Sequence, residues 1–528
     1  MVPGTRDASA NAANADKAAN AALHASGPLL ALRPHATVAT LLDGDRTRLV
    51  AALAGLPPGT DLAEVRLDAL WPKVPDADRA TDDLLALTDA ADAAAVRLLA
   101  TLRPRRQGGR FDGPEDVRLS LLQAALRAGF AAADLEMDGL DMAGEVRAFR
   151  PAGDVVLSVH LGGEAPCRSD GLQPLLAMHD LGAAYDKLAF TASAFPDLLR
   201  ALELARAHHL RGGRPAVSTM VHGGAAVRAL MPLAGNRASY GHAPGLAPAV
   251  PGQPALADIE ATWDQWGLTR SDLDQCAAGD GQWLAVLGTP VAHSQSPRLH
   301  NAWLRTAGRR ERFGALDVPA SASALRLVFH ASERIGLVGA SITAPHKLDA
   351  ARIAECDAAA KAIGAANCVR MEPGGRVVAT NTDASAVERL AKPHVASGSS
   401  VLVLGSGGFA RAATHALKRL GAHVTVADRS DAKAATFHAL GATLIPWADR
   451  AKVHADAIVQ ATPLTDASVL PATALAHRPW VLEAVYAGGP TALQRAAASA
   501  GCVVTDGLQL LEAQGRDAYR FWFGAEAP

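Results

Sequence analysis

VLVLGSGGFARAATHALKRLGAHVTVADRS, residues 401–430, reads as a strand, a glycine turn, a helix and a second strand. VLVL is a short apolar run suited to a buried strand, the alanine-rich stretch that follows is helical in character, and HVTVAD returns to a strand. Gly405, Gly407 and Gly408 let the turn close and let a pyrophosphate reach the backbone at a helix N-terminus. Phe409 follows them, and Ala410 stands where the fingerprint permits alanine for its third glycine. The second strand ends on Asp428, 20 residues beyond Gly408. An acid there would bind the ribose hydroxyls of NAD. Arg429 beside it could stack on adenine and pair with the 2′-phosphate of NADP, supported by Ser430 and Lys433. The residues favour NADP, with NAD as the alternative. The bland alternative is a tight turn that holds no ligand.

The chain of 528 residues is too long for one ordinary domain. Hydrophobic residues make up 49% and charged residues 20%, which provides for large cores and excludes disorder of the whole chain. Lys and Arg total 51 against 53 Asp and Glu, so no basic excess points to nucleic acid. No apolar run approaches the length of a membrane helix. A small-molecule partner is expected, without membrane or nucleic acid, and a monomer is allowed. Five dispersed cysteines, with no CxxC pair, argue against a disulfide framework and a thiolate metal site. The leading Ala/Asn-rich stretch lacks the apolar core of a secretory signal, and Asp7 and Asp16 with few arginines argue against a transit peptide. Residues 1–35 are expected to be a disordered tail, and the location cytoplasmic, or plastid if that tail were a transit peptide.

From Thr37, short apolar runs alternate with amphipathic stretches: TVATLL, AEVRLDAL, AVRLLATLR, AADLEMD, DVVLSVHL, YDKLAFTA and AVSTMVHG. Repeated β-then-α units imply parallel strands, and about eight such units favour a closed (β/α)8 TIM barrel. Barrel chemistry sits at the C-terminal strand ends, where Glu64, Arg66, Asp68, Arg103, Asp134, Glu136, His160 and Lys187 fall. A lone histidine in a strand is usually a hydrogen-bonded core residue, and a lone lysine usually snorkels. Several charges buried at one mouth are costly unless they pair or serve a ligand. Arginine neighbours would favour the neutral amine of Lys187, the form that attacks a ketone. A nearby histidine can move protons, and arginines can hold a carboxylate. Imine-forming acid–base chemistry on a keto acid follows; residue types leave aldol cleavage and β-elimination both open.

EVRLDAL (64–70), TLRPRRQGG (101–109), DLEMD (134–138), VVLSVH (155–160), DKLAF (186–190), Arg228 and PGQ (251–253) resemble the type I 3-dehydroquinate dehydratases in order and spacing. The resemblance implies that Lys187 forms the imine with 3-dehydroquinate while His160 serves as general acid and base. It also implies that Arg228 binds the carboxylate, with Glu64, Arg66, Arg103 and Gln253 at the hydroxyls or ordering the site. GTPVAHSQSPRLHNAWL (288–304), VGASITAPHKLDAA (338–351), GAANCVR (364–370), ATNTDASA (379–386), QATPL (460–464), EAVYAGGPTAL (483–493) and DGLQLLEAQG (506–515) resemble shikimate dehydrogenase. That likeness implies a Lys347–Asp383 proton relay, Ser294 and Ser296 at the carboxylate, and Thr343, Asn367 and Gln514 at the ring hydroxyls. Tyr486 would line the nicotinamide side. A lone Ser-x-Ser is otherwise a cap or turn, and a lone Lys–Asp pair a surface bridge.

The expected architecture is α/β throughout. A (β/α)8 barrel over 36–256 is followed by a linker over 257–281 and a two-lobed dehydrogenase. The latter comprises a substrate-binding domain over 282–383, a Rossmann cofactor domain over 384–505 and a returning C-terminal helix over 506–528. Together the halves resemble the bifunctional 3-dehydroquinate dehydratase/shikimate dehydrogenases, with 3-dehydroquinate and 3-dehydroshikimate or shikimate as substrates. Departures from the two patterns are Gln107 for an acid, Ala249 for a lid serine, Gln460 for an asparagine, and Ala379 and Ala384 for glycines. Two rivals follow: Asp428 supports a catabolic NAD-dependent quinate/shikimate dehydrogenase fused to a dehydratase, and Gln107 and Ala249 motivate a catalytically weakened ligand sensor.

Overall fold

A computed structural model describes residues 33–138, 141–221, 224–465, 469–486 and 488–528. It divides into two units, Met1–Gln282 with Arg334–Gly336, and Trp283–Glu333 with Leu337–Pro528. The tail expected over 1–35 lies outside the described residues up to position 32, and His35 is already buried. No described helix is long and apolar enough to cross a membrane.

In the first unit, β1 (Ala36–Leu41), β2 (Leu62–Arg66), β3 (Arg97–Thr101), β4 (Ala132–Glu136), β5 (Asp154–Leu161), β6 (Tyr185–Ala192), β7 (Pro215–Val221) and β8 (Ala238–His242) form one sheet. Its order runs β7-β6-β5-β4-β3-β2-β1-β8, and its ladders are parallel. Across the β7–β8 seam, Arg237 N–H donates to the Pro215 carbonyl at 2.7 Å. The buried Asn236 amide accepts from Val217 N–H at 2.8 Å and donates back to the Val217 carbonyl at 3.3 Å. The sheet is thereby nearly closed. β8 is ASYGH, too short and too polar to announce itself as a strand, and its pairing with β1 supplies the eighth member.

Strand side chains alternate between faces, so the barrel interior is read every second residue. Val38, Leu62, Leu99, Ala132, Val156, Tyr185, Ala216 and Ala238 form a buried apolar floor. Two residues on, in the same strands, stand Thr40, Glu64, Thr101, Asp134, Ser158, Lys187, Ser218 and Tyr240. The fold thus lifts a polar layer onto an apolar one at the C-terminal mouth.

Residues 257–281, expected as a linker, instead carry the helices Leu256–Gln265 and Arg270–Ala278. Ile259, Trp263, Trp266, Leu273 and Cys276 are buried there, and the Trp263 indole donates to the Ala229 carbonyl at 3.0 Å. An apolar face of this size is covered rather than left in solvent, which makes the stretch part of the first unit.

In the second unit, β9 (Trp283–Gly288), β10 (Arg312–Asp317), β11 (Leu337–Ile342), β12 (Glu355–Cys356), β13 (Cys368–Glu372) and β14 (Arg376–Thr380) form a mixed sheet, with β13 antiparallel to β11 and β14. β15 (Ser400–Leu404), β16 (His423–Asp428), β17 (Thr443–Pro446), β18 (Ala457–Gln460), β19 (Trp480–Glu483) and β20 (Val504–Thr505) form a parallel sheet in the order β17-β16-β15-β18-β19-β20. This is the doubly wound order of dinucleotide-binding sheets, whose ligand crevice opens where the order reverses, beside β15. The last helix, Gly507–Phe523, reaches the mixed sheet, where Trp522 donates to the Val369 carbonyl at 2.9 Å.

Under that helix, His300 is fully enclosed by aromatic rings. It stacks on Phe313 at 4.6 Å and lies 5.1 Å from Trp522 and 5.3 Å from Trp303. Among the described residues neither ring nitrogen has a hydrogen-bond partner, and burial pushes the imidazole down to about 3. The folded state therefore holds it neutral while an unfolded chain protonates it near pH 6.5. No penalty exists above pH 6.5, and stability falls by about 1.4 kcal/mol per unit as pH drops below it. His300→Phe is accordingly expected to widen its Tm advantage over the parent chain between pH 7.5 and pH 5.5 in calorimetry. A Tm difference that stays constant across that range contradicts this account.

Candidate active sites

The barrel mouth is organised around Lys187. Its ammonium donates to Glu64 Oε1 and to Asp134 Oδ2, each at 2.7 Å, and lies 4.5 Å from the Tyr240 ring centroid. The carboxylates are themselves fixed. Thr40 and Thr101 donate to Glu64 at 2.9 and 3.1 Å, and Ser158 donates to Asp134 at 2.5 Å. Burial would raise Glu64, but Lys187, with Arg66 and Arg103, outweighs it and holds the acid below the usual carboxylate range. Asp134 is likewise lowered, burial being overcome by Lys187 and Arg103. The groups nearest Lys187 are thus carboxylates and not the expected arginines. Arg66 is committed to Asp68 through two bonds at 2.8 and 2.9 Å, and Arg103 pairs with Glu136 at 3.4 Å.

His160 shares this cavity, and burial, reinforced by Arg103 and Lys187, pushes its imidazole well below the ordinary range. It is therefore neutral at neutral pH, and its Nδ1 is buried without a hydrogen-bond partner among the described residues. Gln107 lies away from it, donating to Asp138 at 3.0 Å. Arg228 is buried against the Tyr240 and Thr219 carbonyls at 2.7 and 2.8 Å, and burial lowers it to about 10. Among the described residues it has no carboxylate partner, so it is a buried cation suited to an anion. Ala249 contributes its N–H to Gln253 Oε1 at 2.9 Å, and Gln253 donates to Thr40 at 3.1 Å, which ties the 243–254 loop across the mouth.

The seven barrel residues to which the resemblance gives roles, Glu64, Arg66, Arg103, His160, Lys187, Arg228 and Gln253, line this one cavity, whereas Asp68, Asp134 and Glu136, also noted at the strand ends, do not line it and instead hold Arg66, Lys187 and Arg103. Sequence reading placed Asp134 at the mouth without a partner and passed over Thr40, Ser158 and Tyr240. Asp134 and Ser158 stand two residues beyond floor positions, a signal that was available. Tyr240 lies on the strand with no apolar pattern.

In the second unit a cavity of about 650 Å³ runs from the mixed sheet to the glycine turn. Lys347 opens the helix Lys347–Ile353, and Asp383 lies in the first turn of Thr382–Ala391, where the helix dipole favours an acid. Lys347 Nζ donates to Asp383 Oδ2 at 2.6 Å. Asn367 donates to Asp383 Oδ1 and to Thr382 Oγ1, both at 2.9 Å, and accepts from Thr382 N–H at 2.7 Å. Thr382 also donates to Gln514 at 3.2 Å. Ser294, Ser296, Thr343, Asn367, Tyr486 and Gln514 line the same space as the Lys–Asp pair.

At the other end, Gly405 has φ +102°, a conformation that side chains avoid. A Cβ on Gly408 would come within 2.9 Å of Lys347 Cβ, whereas one on Gly407 would meet open space. The turn therefore packs against the lysine on one side and leaves bare backbone at the head of the helix Gly408–Arg419 on the other. Phe409, Asp428, Arg429 and Lys433 line this end. Ala410 packs in the core beneath the turn, and Ser430 faces solvent, accepting from Ala432 N–H at 3.2 Å; neither lines the cavity. Gln460 organises its own turn, accepting from Thr462 N–H at 3.2 Å. Among the described residues no group of three or more His, Cys, Asp or Glu side chains could hold a metal ion.

Residues 39–268 match the family model of type I 3-dehydroquinase, and residues 286–369 match that of the shikimate dehydrogenase substrate binding domain. Shikimate dehydrogenase (NADP(+)) of Halobacterium salinarum is 36% identical over 252 residues, 46% of this chain and 94% of that protein. The chain belongs to the shikimate dehydrogenase family and carries a type I 3-dehydroquinase domain ahead of it. The chloroplastic bifunctional 3-dehydroquinate dehydratase/shikimate dehydrogenase of Arabidopsis thaliana is 27% identical over 500 residues, 89% of this chain and 79% of that protein. A crystal structure of shikimate 5-dehydrogenase from Thermus thermophilus with NADP(H) and shikimate is 31% identical, covering 47% of this chain and 95% of its own, with a TM-score of 0.43. The dehydroquinase domain is thus the barrel, and the dehydrogenase is the two-sheet unit.

Proposed function

We propose that the chain is a bifunctional enzyme of the shikimate pathway, dehydrating 3-dehydroquinate in the barrel and reducing 3-dehydroshikimate to shikimate with NADPH in the second unit. The observation that carries it is the presence of two complete sites on one chain: a buried lysine held by two acids beside a neutral histidine, and a Lys–Asp pair facing a glycine turn. Of the departures, Gln107 bonds Asp138 and Gln460 bonds its own turn.

In the barrel, the Lys187 amine condenses with the C3 ketone, releasing water and forming an iminium ion. Glu64 and Asp134, already balancing one positive charge at that nitrogen, keep it balanced as the iminium. That cation draws electrons when neutral His160 takes the C2 proton. The C1 hydroxyl then leaves as water with the proton carried by His160, and hydrolysis of the imine returns Lys187 and 3-dehydroshikimate. Arg228, a buried cation with no carboxylate partner among the described residues, binds the substrate carboxylate, with Arg66, Arg103 and Gln253 ordering the hydroxyls.

In the second unit, bare backbone at Gly407, the start of the helix Gly408–Arg419 and the cations Arg429 and Lys433 suit a dinucleotide. When bound there, NADP supplies or accepts the hydride. Lys347 and Asp383 deliver a proton to the carbonyl oxygen in reduction and remove it in oxidation. Ser294 and Ser296 hold the carboxylate, while Asn367, Thr343 and Gln514 fix the ring hydroxyls. A polyol lacking one of these hydroxyls would leave a buried polar group unpaired, which is the basis of selectivity.

Borohydride added with 3-dehydroquinate is expected to trap a covalent adduct on Lys187, lost in Lys187→Met; absence of an adduct in the parent chain sinks the barrel assignment. Lys347→Ala is expected to lower kcat for shikimate oxidation by about 10²–10⁴-fold, the range for losing a positioned acid–base group. Activity that survives within a few-fold contradicts the relay.

A further inference from the structure

The glycine turn carries one polar side chain, Ser406, which the readings above leave without a role. It is 4% exposed and lines the same cavity as Asp428, Arg429 and Lys433. Its hydroxyl donates to Asp428 Oδ2 at 2.6 Å and accepts from Lys433 Nζ at 2.9 Å. The acid at the end of β16 is therefore engaged by the turn, with an ammonium drawn up behind the hydroxyl. Among the described residues neither Arg429 nor Lys433 has a carboxylate within ion-pair distance.

An acid in this position ordinarily selects ribose hydroxyls and repels a 2′-phosphate, which carries close to two negative charges. A carboxylate that accepts a hydrogen bond from a buried hydroxyl, backed by an ammonium, presents a weaker field to the cavity. We propose that Ser406 is a specificity-determining residue for the nucleotide: by engaging Asp428 through Lys433-backed hydrogen bonding, it lets the site accept a 2′-phosphorylated dinucleotide although an acid closes β16. Arg429 and Lys433 then supply the cations for that phosphate. The inference rests on the NADP reading above, and it assigns the tolerance to a side chain inside the turn rather than to the residues after the strand.

Direct binding of NADPH and NADH to the full chain, read by nucleotide fluorescence or calorimetry, tests it. Ser406→Ala is expected to weaken NADPH about tenfold and to leave NADH within about twofold, the loss of one charge-assisted hydrogen bond. Ser406→Thr, which keeps the hydroxyl, should retain the parent ratio. In an Asp428→Asn background, Ser406→Ala should no longer change the ratio, because no charge remains to be managed. Equal weakening of both nucleotides, an unchanged ratio in Ser406→Ala, or an effect that persists with Asp428→Asn overturns the role of Ser406. A parent chain that binds NADH more tightly than NADPH overturns the NADP reading itself, whatever the variants do.

Discussion

One ammonium buried between two carboxylates governs the barrel. Lys187 cannot be taken out of water alone, and each acid 2.7 Å away would be equally costly without it. Breaking such a set by removing one member costs about 3–5 kcal/mol because the others stay buried and uncompensated. The surrounding hydroxyls of Thr40, Thr101 and Ser158 satisfy the lone pairs that the lysine leaves over. The same balance suits the proposed chemistry, since an iminium has the charge of the ammonium it replaces. Arg66 and Arg103 have their own acids, Asp68 and Glu136, which keeps them from competing for Glu64 and Asp134.

The second unit meets a different constraint, steric before electrostatic. Gly408 stands so close to Lys347 that the turn and the lysine are packed as one piece. A side chain at Gly408 would displace the lysine or the turn, so the glycine turn and the Lys347–Asp383 pair, the proposed nucleotide and proton-relay ends, share a contact. Asn367 does the corresponding work on the other side, spending its amide on Thr382 and Asp383 together. The Asp383 carboxylate is thus held at both oxygens, leaving its orientation little freedom.

Much of this was legible in the sequence, for physical reasons that differ by residue. The period-two rule places Glu64, Lys187 and His160 inside the barrel once the strands are known, and Gly405 and Gly408 announce a turn that larger residues could not make. The partners of Lys187 were not legible, because Glu64, Asp134 and Lys187 lie on β2, β4 and β6, and only closure of the sheet brings them together. The arginines at the same barrel mouth pointed to the wrong neighbours, since Arg66 and Arg103 pair with Asp68 and Glu136 instead. β8 carried no pattern, being recruited by the free edge of β1. The stretch 257–281 was expected as a linker, yet its helices bury Trp263 and Trp266 in the first unit. Ser406 was hidden by its glycine neighbours, its role depending on a strand end and a loop that the fold alone brings near it.

The central claim is that one chain carries two consecutive reactions. Purified full-length chain supplied with 3-dehydroquinate and NADPH tests it directly, with substrate, both products and nucleotide followed together. Shikimate should accumulate with one NADPH consumed per molecule formed, and 3-dehydroshikimate should appear when the nucleotide is omitted. Conversion that halts at 3-dehydroshikimate with NADPH present, or no loss of 3-dehydroquinate at all, would contradict the account.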